Sequence, residues 1–391
     1  MSTPVPAGFL FASGTAGIKA SGKPDLAVIE APQGATAAAM FTRNRVAAAP
    51  VVLGRRHVAE SRGRLRAVVI NAGNANCATG EAGLDAARRT CVEFARLLGA
   101  PVEHVLPSST GIIGVPLPVE KLLRALPGVH DQCNNSAAAL DSVAHAIMTT
   151  DTRPKMASAS FCSAHVTGIA KGAGMIHPDM ATMLVYVLTD AAASPALLRR
   201  ALRTAVNESF NCISIDGDTS TNDTAVLMAS GAAGVNASQD ERGFTAAITD
   251  VCASLADQIV ADGEGVQHRV TLRVDGAANH AAAARIARTV AQSLLVKTAW
   301  AGADPNWGRL LAAAGRAGVA IDPGAVDIWI AGQRVCAGGA SVAFDADRAH
   351  RAMSEPAYEI RVRVGAGPGT SRVLTGDLTA EYVHINADYS T

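Results

Sequence analysis

The pattern of apolar and polar positions predicts helices and strands mixed along the whole chain. Between Glu81 and Leu98 apolar residues recur three and four positions apart while arginines lie on the polar side, which predicts an amphipathic helix. Further helices are expected at Ser136–Met148, from the capping pair Ser194-Pro195 to about Phe210, at Ala246–Ala261 and at Ala281–Leu295. Short apolar runs predict strands at Pro50–Leu53, Ala67–Asn71, Met183–Leu188, Val326–Ile330 and Tyr358–Val364. This mixture predicts the α/β (α+β) fold class.

Composition narrows the class of protein. With 391 residues, of which 49% are apolar and 17% charged, the chain can bury a large core and is expected to form two or three domains or lobes. The 34 basic and 34 acidic residues cancel, which argues against nucleic acid or an anionic membrane as a partner. No unbroken apolar run reaches about 18 residues and the N-terminus lacks a secretory signal pattern, so neither a membrane span nor secretion is expected.

The metal-binding residue types show no ligand spacing. The 7 cysteines occur singly and without a C-x-x-C pair, which favours reduced thiols and a cytoplasmic protein. The segment Asp216–Ser220 resembles the start of a calcium-binding EF-hand loop, but Thr221 and Leu227 stand where glycine and glutamate are required. We therefore expect no metal and no cofactor.

The segment 171–184, KGAGMIHPDMATML, carries the candidate chemistry. Its glycines permit unusual backbone dihedrals, Lys171 can present a charge to a pocket, and Thr182 begins a predicted strand, where its β-branched side chain is stiff. Cleavage between Ala181 and Thr182 would give Thr182 a free α-amine with a pKa of about 7.7–8.0, able to take the proton of its own hydroxyl. From these residues alone, an ordinary glycine-rich loop before a core strand is the simpler interpretation.

The same loop resembles the cleavage site of the ornithine acetyltransferases, the ArgJ family, whose chains are cut before the threonine of an Ala-Thr-Met-Leu motif. Other segments resemble that family in the same order, from about Gly8 to the last residue: Phe41–Asn44, Asn71–Asn76, Ser109–Gly111, Thr149–Thr152, Ser214–Thr224, Asp262–Gly265, Gly302–Gly308 and Asn386–Thr391. The resemblance implies an ArgJ- and DmpA-like layered sandwich of helices around mixed sheets, with a smaller C-terminal lobe.

The resemblance also implies roles for individual residues. Thr182 is the expected nucleophile, and Thr110 with Gly111 the expected oxyanion hole, although Leu106–Gly114 by itself predicts only a tight turn. Substrate contacts are expected, besides Thr182, from Thr149 (or its neighbour Thr150), Lys171, Glu264, Asn386 and Thr391.

The expected product of cleavage is a pair of fragments that stay together. Residues 1–181 form an alpha fragment with the oxyanion hole. Residues 182–391 form a beta fragment that starts at the nucleophile, with a C-terminal lobe from about 280 whose tail returns to the active site. The resemblance implies a heterotetramer of two alpha and two beta fragments. It implies acetyl transfer from N-acetyl-ornithine to glutamate through an acetyl-threonine, and some family members also use acetyl-CoA.

One departure from the family leaves alternatives open. The family usually has Ala-Thr-Lys after Gly265, whereas this chain has Val266-Gln267-His268. A specialised paralogue with another amino-acid acceptor therefore remains an alternative. A self-cleaving amidohydrolase or aminopeptidase would use water as acceptor, and an uncleaved, non-enzymatic relative is the third possibility.

Overall fold

The computed structural model describes residues 3–177 and 183–388, which form two compact units. The first unit contains the residues up to Asn211 together with Asp218–Ile259. The second contains Cys212–Gly217 and the chain from Val260 onward, so it begins earlier than the position of about 280 expected for the C-terminal lobe.

Helices and strands are mixed throughout, which confirms the predicted α/β class. The described strands are β1 (Leu10–Gly14), β2 (Leu26–Phe41), β3 (Arg64–Asn74), β4 (Val105–Ile112), β5 (Lys155–Phe161), β6 (Ala164–Lys171), β7 (Leu184–Thr189), β8 (Ile213–Ser214), β9 (Thr224–Ala229), β10 (Arg269–Ala277), β11 (Asp327–Ile330), β12 (Gln333–Ala337), β13 (Ala340–Ser341), β14 (Ala357–Arg363) and β15 (Gly369–Gly376). The described helices are α1 (Ala49–Glu60), α2 (Gly80–Leu98), α3 (Val119–His130), α4 (Ala137–Ala146), α5 (Pro195–Glu208), α6 (Glu241–Ala261), α7 (His280–Ala291), α8 (Leu294–Ala301), α9 (Trp307–Gly315), α10 (Ala346–Met353) and α11 (Ala380–Asp388).

The first unit is built on a mixed sheet with the strand order β4-β3-β2-β9-β7-β6-β5, and β1 pairs with β2. The pairs β3–β4 and β7–β9 are parallel, and the other pairs are antiparallel. Alternate side chains enter different cores, as the two-residue period of a strand requires. On β2, Ala27 and Ile29 pack in one core with residues of α4, whereas Leu26 and Val28 pack in another with residues of α2 and α3.

Helix starts with clear capping chemistry agree with the sequence prediction. Ser194 accepts the backbone N–H of Leu197 and Pro195 is the first residue of α5. Ser136 likewise caps α4 by accepting the N–H of Ala139. The predicted helix at Ala281–Leu295 is in fact two helices, because α7 ends at Ala291 and α8 begins at Leu294.

Two short segments were predicted wrongly. Pro50–Leu53 lies in α1, not in a strand; an apolar run of four residues does not distinguish the two, and Pro50 is at a position where a helix tolerates proline. Leu106–Gly114 is mostly strand β4, not a turn. Its proline is accommodated because β4 is at the edge of the sheet, where one side of the strand makes no ladder.

Helix α6 has the length and composition of a membrane span, yet its apolar side chains are in the core. Val251 and Leu255 are fully buried. Both lie so close to Gly168 of β6 that a Cβ there would come within 2.8 Å of each side chain. Helix α6 is therefore a core helix packed on the sheet of the first unit.

The second unit contains a mixed sheet with the strand order β13-β12-β11-β14-β10-β15-β8. Helices α7 and α9 pack their apolar sides with residues of β10, β11 and β14 in one core. Lys297 of α8 is only 3% exposed. Its ammonium donates to the carbonyl of Gly376 and to Thr375 Oγ1, and Asp377 and Asp216 lie near enough to raise its pKa, but burial dominates and lowers the pKa to about 8.

We expect Lys297→Met to flatten the dependence of stability on pH between about 8 and 10.5. The unfolded lysine binds a proton in this window that the folded one has released, so the lysine's contribution to stability rises with pH. A pKa lowered by this much corresponds to about 3 kcal/mol across the window. Urea unfolding of wild type, Lys297→Met and the exposed control Lys23→Met at several pH values measures the slope; equal slopes in all three would contradict the expectation.

Candidate active site

Thr110 and Gly111 lie at the end of β4, where it runs closest to β3. Gly111 has φ +133, and a Cβ at this position would lie 2.3 Å from the carbonyl carbon of Gly73. The β3–β4 register shifts at Gly73 and Asn74, so the two strands separate from regular pairing at this point. Only glycine fits such a close approach, and the constraint fixes the backbone that follows Thr110.

Buried side-chain amides hold the backbone that precedes Thr110. Ser109 Oγ donates to Asn71 Oδ1 at 2.6 Å. Asn222, from the segment before β9, donates through Nδ2 to the carbonyl oxygens of Ser109 at 2.9 Å and Ala75 at 2.6 Å. Its Oδ1 accepts the Thr221 hydroxyl at 2.6 Å. Because these groups are shielded from water, their hydrogen bonds are costly to lose, and the backbone preceding Thr110 is held firmly.

The structure brings together Lys171 and Thr110, two of the predicted site residues. Lys171 Nζ donates to Thr110 Oγ1 at 3.2 Å, and both side chains are largely buried. Since the ammonium occupies a lone pair of the hydroxyl oxygen, the hydroxyl hydrogen is left to point elsewhere. A hydroxyl polarised in this way and a nearby backbone N–H are suitable donors for a developing oxyanion.

Asp151 connects two of the predicted site segments, Thr149–Thr152 and 171–184. Its Oδ1 accepts the N–H of Gly172 at 2.6 Å and its Oδ2 accepts the N–H of Thr149 at 3.0 Å. Oδ1 also lies 2.7 Å from Lys155 Nζ, and Oδ2 lies 4.0 Å from Lys171 Nζ. Burial alone would raise the pKa of Asp151, but Lys171, Lys155 and the Thr149 N–H lower it to about 2. Asp151 is therefore a carboxylate at all ordinary pH values.

A third lysine, Lys19, adds positive charge to the cluster formed by Asp151, Lys155 and Lys171. Lys19 Nζ donates to the carbonyl oxygens of Pro24 at 2.8 Å and Ala146 at 2.9 Å. Burial lowers the pKa of Lys19 to about 8, against the opposing effect of Asp25 and Asp151. Three lysines around Asp151 give the region an excess of positive charge, which suits an oxyanion or a substrate carboxylate.

In the second unit the structure brings Glu264 and Asn386 together. Asn386 Nδ2 donates to Glu264 Oε2 at 2.8 Å and to the carbonyl of Tyr382 at 3.0 Å. A Cβ on Gly265 would lie 2.4 Å from the Tyr382 nitrogen, so glycine is required where this loop passes α11. Glu264 is only 8% exposed, which makes it a positioned carboxylate that can pair with an ammonium group.

The three residues that depart from the family have defined contacts in the second unit. Asp377 Oδ1 accepts the N–H groups of Gln267 at 2.9 Å and His268 at 3.1 Å. His268 Nδ1 lies 2.8 Å from Asp377 Oδ2. The side chain of Val266 packs directly over Gly376. Asp377 thus holds both the backbone of this segment and the His268 ring.

The remaining predicted residues lie outside the described part of the chain. These are Ala181 and Thr182 at the expected cleavage point, and the C-terminal Thr391. Met183 is the first described residue after the cleavage point, and its carbonyl accepts the N–H of Thr224 at 2.9 Å.

Two cavities of the first unit lie away from the predicted site residues. Two open cavities of about 490 and 610 Å³ in the first unit are lined by residues of β2, β3 and α1 together with neighbouring loops. Neither is lined by a predicted site residue. Within residues 3–177 and 183–388 no group of three or more His, Cys, Asp and Glu side chains could hold a metal ion. Within the described residues, what distinguishes the candidate site is its cluster of buried charges and hydroxyls.

Sequence reasoning missed several residues that organise the site. It did not assign roles to Lys19, Asp151, Lys155, Asn222 and Asp223. The signal was present, because Asp151 lies in Thr149–Thr152 and two of the others lie in Ser214–Thr224, both of which resemble family segments. Most of their contacts join residues far apart in the chain, and a local sequence pattern does not predict such contacts.

We expect Asp151→Asn to destabilise the protein by about 3–5 kcal/mol, because it removes the carboxylate from a fully buried lysine ammonium. Asp190→Asn is the matched control, since Asp190 is a buried acid of the same unit that accepts two backbone N–H groups, from Ala7 and His165. The double variant Asp151→Asn/Lys155→Met should regain part of the loss. Urea unfolding measures all three, and equal losses for the two single variants would contradict the assignment.

Comparison with known proteins identifies the family. The ArgJ family model matches residues 10–391. The arginine biosynthesis bifunctional protein ArgJ of Pseudomonas syringae pv. tomato is 45% identical over 401 residues, covering 99% of this chain and 97% of that protein. The protein of the same name from Thermus thermophilus is 45% identical over 391 residues, covering 100% of both. The crystal structure of ArgJ from Bacillus halodurans is 39% identical, covers 53% of this chain and 100% of that chain, and gives a TM-score of 0.51. The chain therefore belongs to the ArgJ family.

Proposed function

We propose that this protein is a glutamate N-acetyltransferase of arginine biosynthesis, which moves an acetyl group from N-acetyl-ornithine to glutamate. The observation that carries the proposal is the contact of the Lys171 ammonium with the Thr110 hydroxyl beside the constrained Gly111. That arrangement offers preorganised donors to a tetrahedral oxyanion. Family membership and the names of the relatives, arginine biosynthesis bifunctional proteins, support the same reaction.

The proposed reaction needs a free Thr182 amine, produced by self-cleavage between Ala181 and Thr182. The amine accepts the proton of the Thr182 hydroxyl as its oxygen bonds to the acetyl carbon of N-acetyl-ornithine. Thr110 and Gly111 stabilise the oxyanion. The carbon–nitrogen bond then breaks, the leaving ornithine amine takes the proton, and an acetyl-threonine ester remains.

In the second half of this ping-pong reaction, the amine of glutamate attacks the ester. A second tetrahedral oxyanion forms in the same place, the Thr182 oxygen leaves and regains a proton, and N-acetyl-glutamate is released. No cofactor takes part. Acetyl-CoA is proposed as a second acetyl donor, in keeping with the word bifunctional in the relatives' names.

Charge supports amino acids as substrates. An amino acid carries a carboxylate and an ammonium, and each needs an opposite charge when it leaves water. We assign Lys171 to an anionic group and Glu264 to an ammonium, with Asn386 positioning Glu264 and with Thr149 and Thr391 as further contacts. The neutral net charge gives no reason to expect nucleic acid or membrane as partners.

The proposal extends to assembly. The alpha fragment 1–181 and the beta fragment 182–391 stay associated, and two such pairs form a heterotetramer in the cytoplasm. The C-terminal lobe contributes its tail to the active site. Its Thr391 and the cleavage point at Ala181 and Thr182 are assigned from the family motif.

We expect Thr182→Ala to abolish both cleavage and acetyl transfer, because it removes the one hydroxyl that serves both steps. Intact-mass spectrometry should give two fragments for wild type and one full-length chain for the variant. Assays with N-acetyl-ornithine and glutamate should yield N-acetyl-glutamate with wild type only. Thr249→Ala, which removes a hydroxyl from α6, is the control. Free acetate without N-acetyl-glutamate would instead support a hydrolase, product with another amino acid a specialised paralogue, and an uncut wild type would refute the mechanism.

We expect Thr110→Val to lower kcat about 100- to 1000-fold while KM changes little, because one oxyanion donor is lost from a site that otherwise keeps its shape. Thr189→Val is the matched control. Thr189 is a fully buried threonine of the same sheet, and its hydroxyl oxygen accepts the N–H of Ala191. Steady-state kinetics with N-acetyl-ornithine would check this, and a change confined to KM would assign Thr110 to substrate binding instead.

A further inference from the structure

Self-cleavage has a requirement that acetyl transfer does not share. Once the chain is cut, the free amine of Thr182 can take the proton of the Thr182 hydroxyl. Before the cut, that nitrogen belongs to a peptide bond, and its lone pair is delocalised into the carbonyl. Self-cleavage therefore needs a different proton acceptor close to Thr182.

Asp223 is a buried acid that contacts Met183, the residue that follows Thr182 in the chain. It immediately precedes β9, whose first residue, Thr224, donates its N–H to the carbonyl of Met183 at 2.9 Å. The N–H of Met183 interacts with the Asp223 carboxyl itself. The Met183 nitrogen is bonded to the carbonyl carbon of Thr182, and only a few covalent bonds separate it from the Thr182 hydroxyl. Asp223 thus lies at the backbone link that leads into the nucleophile.

The Asp223 carboxyl has an unsatisfied atom. The residue is 2% exposed, and among the described residues its Oδ2 has no hydrogen-bond partner. A buried, unpaired carboxyl oxygen is costly, and native proteins retain such atoms where they serve a function. Nearby groups act on the carboxyl as a whole, namely the hydroxyls of Ser220 and Thr42.

The charge environment gives this carboxyl the character of a base. Burial raises the pKa of Asp223 well above its usual range, although Ser220, the Met183 N–H, Thr42 and Lys171 oppose the rise. The other charged group at this location is Arg55, whose guanidinium donates to the Thr42 carbonyl. A carboxylate with a raised pKa holds a proton more strongly than an ordinary one, which improves it as a general base near neutral pH.

Two other ionisable groups of the cluster, Lys171 and Asp151, are less suited to the task. Lys171 Nζ already donates to Thr110 Oγ1 at 3.2 Å and lies 4.0 Å from Asp151 Oδ2, so it is engaged with these two groups. Asp151 accepts two backbone N–H groups and contacts Lys155, and these interactions lower its pKa to about 2, which makes it a very weak base.

We propose that Asp223 is the general base of self-cleavage, accepting the Thr182 hydroxyl proton on Oδ2. This rests on the proposed self-cleavage. As the proton moves, the Thr182 oxygen bonds to the Ala181 carbonyl carbon. Asp223 then returns the proton to the Thr182 nitrogen as the carbon–nitrogen bond breaks, which leaves an ester between Ala181 and Thr182. Water hydrolyses that ester to the Ala181 carboxylate and the free hydroxyl of Thr182, so one water is consumed in total.

The test follows cleavage of newly made full-length chain in a cell-free translation reaction, by intact-mass spectrometry over time. Asp223→Asn keeps the shape of the side chain but cannot accept the proton, and we expect cleavage to slow by roughly 100- to 10,000-fold. Asp190→Asn, another buried acid of the same unit, should cleave at the wild-type rate. Circular dichroism establishes that both variants are folded. Cleavage of folded Asp223→Asn at the wild-type rate would overturn the assignment.

A second variant keeps the proposal testable even if Asp223→Asn fails to fold. Ser220→Ala removes a hydroxyl that lowers the pKa of Asp223. The carboxylate should then form only at higher pH, so the midpoint of the cleavage rate against pH should move upward. An unchanged midpoint in folded Ser220→Ala would also overturn the assignment. Wild-type chain that never cleaves would instead refute the proposed function, which separates the two failures.

Discussion

The arrangement of the first unit's site depends on one buried carboxylate. Asp151 is surrounded by groups that favour its charged form: two backbone N–H groups, the ammonium of Lys155 at 2.7 Å and that of Lys171 at 4.0 Å. Without it, a fully buried lysine would lose the carboxylate that offsets its desolvation. Because Asp151 also accepts the N–H of Gly172, it fixes the backbone immediately after Lys171. The position of the Lys171 ammonium on Thr110 follows from that anchor.

A second constraint connects strand β4, which carries Thr110, to Met183, the residue that follows Thr182 in the chain. The short segment before β9 contributes Asn222 and Asp223 in succession. Asn222 donates to the carbonyl of Ser109, next to Thr110, and Asp223 lies at the N–H of Met183, next to Thr182. Two neighbouring residues of one segment therefore locate both chain segments that the chemistry requires. A site assembled in this way gains precision from the sheet, because β9 pairs in parallel with β7 and cannot slip without reversing its buried side chains.

The sequence predicts those parts of the molecule that local chemistry determines. Ser194 and Pro195 predict the start of α5, because serine at the cap and proline in the first turn favour a helix start whatever the rest of the fold. Thr110 and Lys171 were found through family motifs, and the structure places them in contact. By contrast, Leu106–Gly114 reads as a turn because its proline and glycines outweigh its strand pattern. Only pairing with β3, more than thirty residues earlier, makes it a strand. Asp151 and Asp223 escaped prediction for a similar reason, because the contacts of Asp151 with Gly172 and of Asp223 with Met183 join separate segments of the chain.

The two steps proposed for Thr182 place opposite demands on a base. Acetyl transfer must recur many times, so its base has to release the proton readily, and an amine with an ordinary pKa near 8 suits that cycle. Self-cleavage occurs once and before any such amine exists. A buried carboxylate, which burial makes more basic, meets that need. Because it is shielded from water, it does not take protons from the substrate in later cycles. Asp223 is buried and contacts the N–H of Met183, which is consistent with this division. In this scheme Asp223 acts once, as the base of self-cleavage. That cleavage frees the Thr182 amine, which is the base of every later acetyl transfer.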